Sequence, residues 1–386
     1  MSDLTITDTA VHVLDSDRPW AIVRAETDGG VTGFGEVPVR NHRTSEIERY
    51  GDQLVGEDPF ATEALFGADG KYGASRHDIR TTTMAGGFDM ACWDIKGKYL
   101  EVPVHELLGG KVRDEIRTYA NGWGFDARTV VDRYHGGEAN QDVLPEARTA
   151  WARAAEAVVD EGYSALKFSP FQWSDGPTTS QHELESGLAV VESVAEAVPD
   201  DVGLLVEGHC RHTVEKALTA SRRLAAFDVG FFEEPVAPDI GALDRVARKS
   251  SVPVATGEGF ASHHGFAELL SDTEVSVVQP DVGRAGGITE LRKVAAMASS
   301  ERVGFAPHNA AGPIMTHAAV HLDAVTPAFM IQETFETFYH PEWGDKLVDG
   351  LTIEDGFIEV PETPGLGVEL DESVLTAHEN PDALPR

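Results

Sequence analysis

Residues 229–309 contain four apolar runs that decide the fold prediction: VGFFEEP (229–235), VPVATGE (252–258), VSVVQPD (275–281) and VGFAPHN (303–309). Each run is short, is rich in valine or phenylalanine and ends near a polar side chain, which is the pattern of a buried strand. The segments between the runs have the length and the apolar spacing of helices. Regular alternation of strands and helices indicates parallel βαβ units.

The same alternation continues on both sides of this region. Further strand candidates begin at Ile116, Tyr163, Gly203 and Phe329, with helix candidates between them. Eight strands at the spacing of βα units predict a closed (β/α)8 barrel of the α/β class, which we place at residues 116–345.

The segments outside the predicted barrel have a different sequence pattern. Residues 5–36 have the pattern of antiparallel strands joined by a DGG turn, and residues 45–108 have a helical pattern. Together they predict an α+β capping domain over residues 1–115. The tail, residues 346–386, returns to strands and turns, and we expect it to pack back on the capping domain.

The composition limits the classes of function. The chain has 65 Asp and Glu against 31 Lys and Arg, a net charge of −34, which argues against nucleic-acid and anionic-membrane partners. Hydrophobic residues make up 41%, so the chain has enough apolar surface to fold. We interpret the acidity as an adaptation to a high-salt cytoplasm. The only cysteines, Cys92 and Cys210, indicate a reducing compartment, and no apolar run has the length of a membrane span.

Charged and imidazole side chains stand at the ends of the predicted strands. In chain order they are Lys167, Glu207, Glu233, Glu258, Asp281, His308 and Glu333. The carboxyl ends of barrel strands meet at one rim, where barrel enzymes have their active sites. A single Glu in so acidic a chain is usually a solvated surface group. A charge beside a barrel core, however, costs several kcal/mol unless a cation compensates it, so the placement favours a shared site.

Two kinds of chemistry fit these residues. Glu207, Glu233 and Glu258 offer an all-oxygen ligand set from adjacent strands, which suits Mg²⁺ better than Zn²⁺. Asp281 and His308 follow on the next two strands, where Asp281 can orient His308 and raise its basicity. A lone histidine is more often structural, but its place beside Asp281 predicts a general base.

Several longer motifs carry a family resemblance. They are, in order, MAGGFDMACWDIKGK, FFEEPV, ATGEGF, QPDVGRAGGITE, FAPHNAAGP and QETF. Together they resemble the enolase superfamily, in its mandelate racemase branch, over essentially the whole chain. The resemblance implies that Glu207, Glu233 and Glu258 bind Mg²⁺.

The resemblance also implies roles for the other strand-end residues. Asp281 and His308 would be the basic dyad, and Glu333 a donor or hydrogen-bond partner to the substrate carboxylate. Removal of a proton next to a carboxylate forms an ene-diolate, whose extra negative charge needs fixed positive charge as it develops. Mg²⁺ and Lys167 would supply that charge.

The chain departs from the branch pattern at one position. Racemases and cycloisomerases of this branch carry Lys-x-Lys at the second strand, whereas here Lys167 is followed by Phe and then by Ser169. Inversion needs proton carriers on both faces of the substrate, so racemisation is disfavoured. The third strand instead ends in Glu-Gly-His, similar to galactonate and gluconate dehydratases. Strand alternation predicts His209 on the face of Glu207. The resemblance implies that it protonates the departing 3-hydroxyl; the alternative is that it only orients Glu207.

These observations predict a hydro-lyase that dehydrates a sugar acid, such as gluconate, galactonate or xylonate, to the 2-keto-3-deoxy acid with Mg²⁺. A racemase, epimerase or cycloisomerase acting on another carboxylate is the alternative on the same scaffold. A non-catalytic barrel that serves as a binding or structural protein is a second alternative. The resemblance further implies a homo-oligomer, a dimer or an octamer.

Other residues are weaker candidates. Trp123 and Phe125, near the end of the first barrel strand, are expected to line the pocket or to pack in the core. Loop residues of the first domain are candidates to cover the substrate: Asp17, Arg18, Arg40, Asn41 and His42. The glycines at 283, 286 and 287 match no phosphate-binding motif and predict a turn.

Overall fold

The computed structural model describes residues 3–15, 19–38, 42–66, 78–124, 144–172, 180–335, 344–348 and 351–384. These residues form a three-stranded antiparallel sheet followed by a parallel barrel, each with helices packed against it. The fold is therefore the predicted α/β barrel with an N-terminal capping domain. Among the described helices, none combines the length and the apolar character that crossing a membrane requires.

The capping domain begins with an antiparallel meander. Its elements are β1 (Ile6–Leu14), β2 (Trp20–Thr27), β3 (Thr32–Pro38), α1 (Thr44–Asp52), a 3-10 helix (Thr62–Phe66), α2 (Ile79–Leu100) and α3 (Val104–Leu107). Helix α2 packs closely on β3. A Cβ atom at Gly35 would lie 1.9 Å from the carbonyl oxygen of Gly87, so only glycine permits this approach.

All eight predicted barrel strands are present. They are β4 (Glu115–Ala120), β5 (Ala165–Phe168), β6 (Gly203–Glu207), β7 (Phe231–Glu233), β8 (Val254–Thr256), β9 (Val277–Val278), β10 (Gly304–Phe305) and β11 (Gln332–Thr334). Neighbours from β4 to β10 pair in parallel, and β11 pairs in parallel with β4. A bridge between Phe305 and Phe329 closes the cylinder.

Helices follow the first seven barrel strands. They are α4 (Leu144–Asp160), α5 (Gln181–Ala197), α6 (Val214–Leu224) with a 3-10 turn (Ala225–Phe227), α7 (Ile240–Ala247), α8 (Ser262–Asp272), α9 (Gly287–Glu301) and α10 (Pro313–Val325). After β11 the described residues show only the one-turn helix α11 (Gly344–Leu347) before the tail.

The tail contacts both domains. Strands β12 (Ile353–Glu354) and β13 (Phe357–Glu359) form a hairpin, and β13 pairs antiparallel with β4 of the barrel. Helix α12 (Glu372–His378) lies beside β1, where the Asp15 amide donates to the His378 carbonyl. The prediction that the tail packs on the capping domain therefore describes only part of its contacts. The domain boundaries at residues 115 and 345 stay a proposal.

Two buried carboxylates of the capping domain meet the first turns of barrel helices. Glu36 accepts the amide of Gly312 at 2.5 Å, at the start of α10. Asp89 accepts the amide of Thr289 at 3.0 Å, in the first turn of α9, and burial raises its pKa to about 7. Helix N-termini favour such acceptors. These bonds tie the capping domain to the helices that follow the Asp281 and His308 segments.

Candidate active site

An apolar layer fills the inside of the barrel, with one residue from, or directly beside, each strand. It contains Tyr119, Ala165, Leu205, Phe231, Ala255, Val277, Ala306 and Ile331. Side chains alternate along a strand, so the residue two positions later points inward again, nearer the carboxyl end. Those positions hold Asn121, Lys167, Glu207, Glu233, Gly257, Gln279, His308 and Glu333. We call this second layer the polar ring.

Strand β8 contributes a glycine to the polar ring. Gly257 has a φ of +148°, and a Cβ atom there would lie 2.8 Å from the backbone nitrogen of Gln279. Only glycine fits this position without strain. The next residue, Glu258, supplies the carboxylate of this strand end, and its side chain is 27% exposed.

Lys167 carries the buried positive charge at this end of the barrel. Its Nζ lies 2.6 Å from Glu233 Oε1, 2.9 Å from Glu333 Oε1 and 3.7 Å from Glu207 Oε2. Burial alone would lower the pKa of Lys167, but the surrounding carboxylates hold it well above its usual value. The ammonium group is therefore charged at neutral pH.

Glu207 and Glu233 are paired in register on adjacent strands. Burial raises the pKa of both carboxyl groups, and for Glu233 the nearby negative charge of Glu207 adds to the effect. The two oxygens of Glu233 contact Lys167 on one side and the amide nitrogen of Gln279, at 2.6 Å, on the other. One ammonium group thus serves several buried acids, and the raised pKa values of Glu207 and Glu233 mean that Lys167 alone does not fully stabilise both in their charged form.

The structure brings Asp281 and His308 into contact. His308 Nδ1 lies 2.7 Å from Asp281 Oδ2, and the two segments are joined by a parallel bridge. His308 Nε2, however, lies 2.7 Å from Glu258 Oε2. Burial lowers the pKa of His308, but the charges of Glu258 and Glu333 outweigh that effect and raise it to about 10. In this arrangement His308 is an imidazolium held between two carboxylates.

Glu333 is surrounded by donors. Its Oε1 accepts the side-chain amide of Asn121 at 2.5 Å, and its Oε2 accepts the backbone amide of Asn309 at 2.6 Å. Burial would raise its pKa, but Lys167 and His308 lower it below the usual value. Glu333 is therefore a carboxylate, which accepts hydrogen bonds rather than donating a proton.

His209 lies at the barrel mouth, but strand alternation does not set its direction. Strand β6 ends at Glu207, and His209 has a left-handed φ of 45°. Its backbone amide donates to Glu207 Oε1 at 2.6 Å, while its exposed ring contacts Gln172 Nε2 through Nδ1 at 2.5 Å. The turn, and not the strand, brings the imidazole beside the neighbouring strand end.

Whether the acids fit a divalent cation depends on Glu258. Across the described residues, no three His, Cys, Asp or Glu side chains stand at the spacing of ligands to one ion. Glu258 is instead paired with His308. The donor chemistry does fit, since buried carboxylates with raised pKa values gain from a hard cation. Glu207 and Glu233 are adjacent, and Glu258 would complete the set only by leaving His308.

Two members of the polar ring, Asn121 and Gln279, were not predicted from the sequence, and neither was Arg284. Arg284 lies 3.5 Å from both Glu258 and Asp281. Counting two residues onward from each inward apolar residue would have found Asn121 and Gln279, because the alternation is strict at these strand ends.

Of the other candidate residues, some lie in the core or in a turn, and the rest fall outside the described residues. Trp123 packs against Trp151 and Phe168 in the core and donates from Nε1 to the Lys167 carbonyl at 2.8 Å. His42 is buried, with Nε2 2.8 Å from the Arg80 carbonyl. Residues 282–286 form the predicted turn into α9. The remaining candidates lie outside the described residues: Asp17, Arg18, Arg40, Asn41 and Phe125.

Comparisons with known proteins agree with this architecture. Residues 150–374 match the enolase C-terminal domain-like family, and residues 5–109 match the mandelate racemase/muconate lactonizing enzyme N-terminal domain. The chain is 33% identical to a D-gluconate dehydratase of Thermoproteus tenax, over 96% of this chain and 73% of the relative. It is 34% identical to a D-galactonate dehydratase of Xanthomonas oryzae pv. oryzae, over 94% and 92%.

A solved structure is similar over nearly the whole length. The mandelate racemase/muconate lactonizing enzyme from a Sulfitobacter species superposes with a TM-score of 0.85 at 29% identity, covering 98% of this chain and 96% of that one. The chain therefore belongs to the enolase superfamily, in its mandelate racemase/muconate lactonizing enzyme branch, and is a hydro-lyase of the acid-sugar dehydratase kind.

Proposed function

We propose that this enzyme is a Mg²⁺-dependent aldonate dehydratase that forms a 2-keto-3-deoxy acid through an ene-diolate. The observation that carries the proposal is the content of one barrel mouth: the polar ring, together with Asp281, places a base dyad, a buried ammonium group and clustered carboxylates at the strand ends. The relatives named for gluconate and galactonate dehydration support the substrate class. They differ in the sugar acid, so we commit to a five- or six-carbon aldonate.

The proposed role of His308 is to remove the C2 proton. Asp281 fixes the ring by its 2.7 Å contact with Nδ1, which leaves Nε2 as the proton acceptor. A base must be neutral, so His308 must lose its pairing with Glu258 before the reaction begins. We propose that Glu258 exchanges His308 for the cation that Glu207, Glu233 and Glu258 would share.

The electron pair left on the substrate passes into its carboxylate. A bound Mg²⁺ would supply fixed positive charge where that ene-diolate forms. Lys167 adds a second positive charge, and Glu333 holds Lys167 in place through the contact between Nζ and Oε1 at 2.9 Å. We therefore propose that Glu333 orients Lys167, since the donors around its carboxylate leave no proton to give to the substrate.

The proposed role of His209 is to protonate the leaving hydroxyl at C3. The 2.5 Å contact between Nδ1 and the side-chain amide of Gln172 holds the ring. To act as the acid His209 must be the imidazolium, which carries a proton on Nε2 as well as on Nδ1. As the C3–O bond breaks, the Nε2 proton completes a water molecule, His209 becomes neutral, and the electron pair of the ene-diolate forms the enol. Protonation of the enol at C3 then gives the 2-keto-3-deoxy acid.

A panel of sugar acids tests this function directly. We expect gluconate, galactonate, xylonate or a close relative to lose water in the presence of Mg²⁺, which mass spectrometry of the product detects. Conversion without a change of mass would indicate epimerisation and would contradict the proposal. Consumption at an equal rate in excess EDTA would contradict the Mg²⁺ dependence.

Replacing His209 with Asn separates its two candidate roles. If His209 is the acid, we expect dehydration to fall by about 10²–10⁴-fold, the usual contribution of a general acid. Exchange of the C2 proton with deuterated solvent should persist, because His308 performs that step. Dehydration near the wild-type rate would show that His209 only orients Glu207.

Three further expectations belong to this proposal. The excess of acidic residues supports a high-salt cytoplasmic setting, in which the melting temperature should rise from low to molar salt. We also propose a homo-oligomer, a dimer or an octamer. The small sugar acid is the proposed partner, with no role for nucleic acid or membrane.

A further inference from the structure

We propose that Glu234 is a positioning residue that fixes the three strand ends carrying the candidate Mg²⁺ ligands. The inference rests on the proposed function and extends it to a residue outside the polar ring. Glu234 directly follows Glu233, the last residue of β7. Only 2% of the residue is exposed, and the proposed proton-transfer steps do not use it.

The side chain of Glu234 bonds to the two neighbouring strand ends. Oε1 accepts the Thr256 hydroxyl at 2.7 Å and the Gly257 amide at 3.0 Å, both at the end of β8. Oε2 accepts the Cys210 thiol at 3.3 Å, in the turn that follows β6. A single carboxylate thus joins three consecutive strand ends, each with one candidate ligand.

Backbone hydrogen bonds join the same strand ends. The Cys210 amide donates to the Glu234 carbonyl at 2.7 Å, and the Glu234 amide donates to the Ala255 carbonyl at 3.0 Å. The Gly208 amide donates to the Glu233 carbonyl at 2.8 Å. Glu234 is therefore the central residue of a short network that sets the distance between the turns beyond β6, β7 and β8.

The network also holds unfavourable backbone conformations. Glu234 has a φ of 38°, and His209 and Cys210 have φ values of 45° and 59°. Residues other than glycine rarely adopt this left-handed backbone conformation, and they keep it where contacts with their surroundings hold it in place. The contacts of Glu234 with the turn after β6 and with β8 hold these residues in that conformation. They also fix the turn from which His209 reaches the mouth.

The test compares two substitutions of Glu234 by calorimetric titration with Mg²⁺. In Glu234→Ala the donors of Thr256, Gly257 and Cys210 lose their acceptor, and we expect Mg²⁺ affinity to fall by about 10- to 100-fold. In Glu234→Gln the amide oxygen can still accept from Thr256 and Gly257, so affinity should stay within about threefold of wild type. Hydrogen exchange at residues 207–212 and 254–259 should be faster in the alanine variant only.

Glu290→Ala is the matched control, since Glu290 is a buried glutamate that pairs with His263 and Lys293 away from the polar ring. It should lower the melting temperature but keep the Mg²⁺ affinity. Unchanged affinity and exchange in Glu234→Ala would overturn the positioning role. Equal losses in the alanine and glutamine variants would overturn it as well, because charge alone would then explain the effect. A wild-type protein that binds no Mg²⁺ would instead contradict the proposed function itself.

Discussion

Replacing Lys167 with Met is expected to slow turnover at least about a hundredfold and to destabilise the protein. The ammonium group is 2% exposed and lies within 4 Å of Glu207, Glu233 and Glu333. Its removal leaves buried carboxylates without a cation, which typically costs about 3–5 kcal/mol of unfolding free energy. The loss of one preorganised positive charge at the ene-diolate should lower the rate by about 10²–10³-fold or more.

Urea unfolding in EDTA measures the first effect, and product formation measures the second. We expect added Mg²⁺ to recover part of the lost stability in Lys167→Met, because a cation at Glu207 and Glu233 would offset the same negative charge. Lys293→Met is the control, since Lys293 pairs with Glu63 and Glu290 on the outer helices. A Lys167→Met variant that matches wild type in both measurements would contradict the role given to this charge.

Replacing His308 with Asn should remove the base and yet leave Mg²⁺ binding intact or stronger. General bases contribute about 10²–10⁴-fold, so exchange of the substrate C2 proton with deuterated water should become undetectable or very slow. The pair between His308 and Glu258 at 2.7 Å competes with any cation for that carboxylate. Without the imidazolium, Glu258 is free to act as a ligand.

Proton exchange is followed by NMR, and Mg²⁺ affinity by calorimetry on the same variant. His263→Asn is a suitable control, because that imidazole pairs with Glu290 and not with the polar ring. Exchange at the wild-type rate in His308→Asn would exclude His308 as the base. A large loss of Mg²⁺ affinity would show that His308 supports the metal site instead of competing with it.

Most of the fold follows from local patterns. The barrel strands were predicted because they are short apolar runs, and the closed cylinder follows from their regular alternation with helices. The pairing of β13 with β4 was not predicted. It depends on contacts between segments far apart in the sequence, for which residues 346–386 show no local signal.

The site was predicted less completely, for two physical reasons. Asn121 and Gln279 carry no charge, so they do not stand out in composition, although each bonds a charged member of the polar ring. The pairing of His308 with Glu258 depends on side-chain conformation, which spacing along the chain does not determine. The direction of His209 depends on a left-handed turn at a non-glycine residue, which is too rare to be assumed from sequence.

Calorimetric titration with Mg²⁺ of the wild-type enzyme and of the Glu207→Gln, Glu233→Gln and Glu258→Gln variants tests the central claim most directly. The account predicts one ion per chain, with affinity lowered by at least about 100-fold in each variant, because each loses a charged oxygen ligand. A wild-type enzyme that binds no Mg²⁺, or variants that all bind it as tightly as wild type, would contradict the claim that these three carboxylates share one cation.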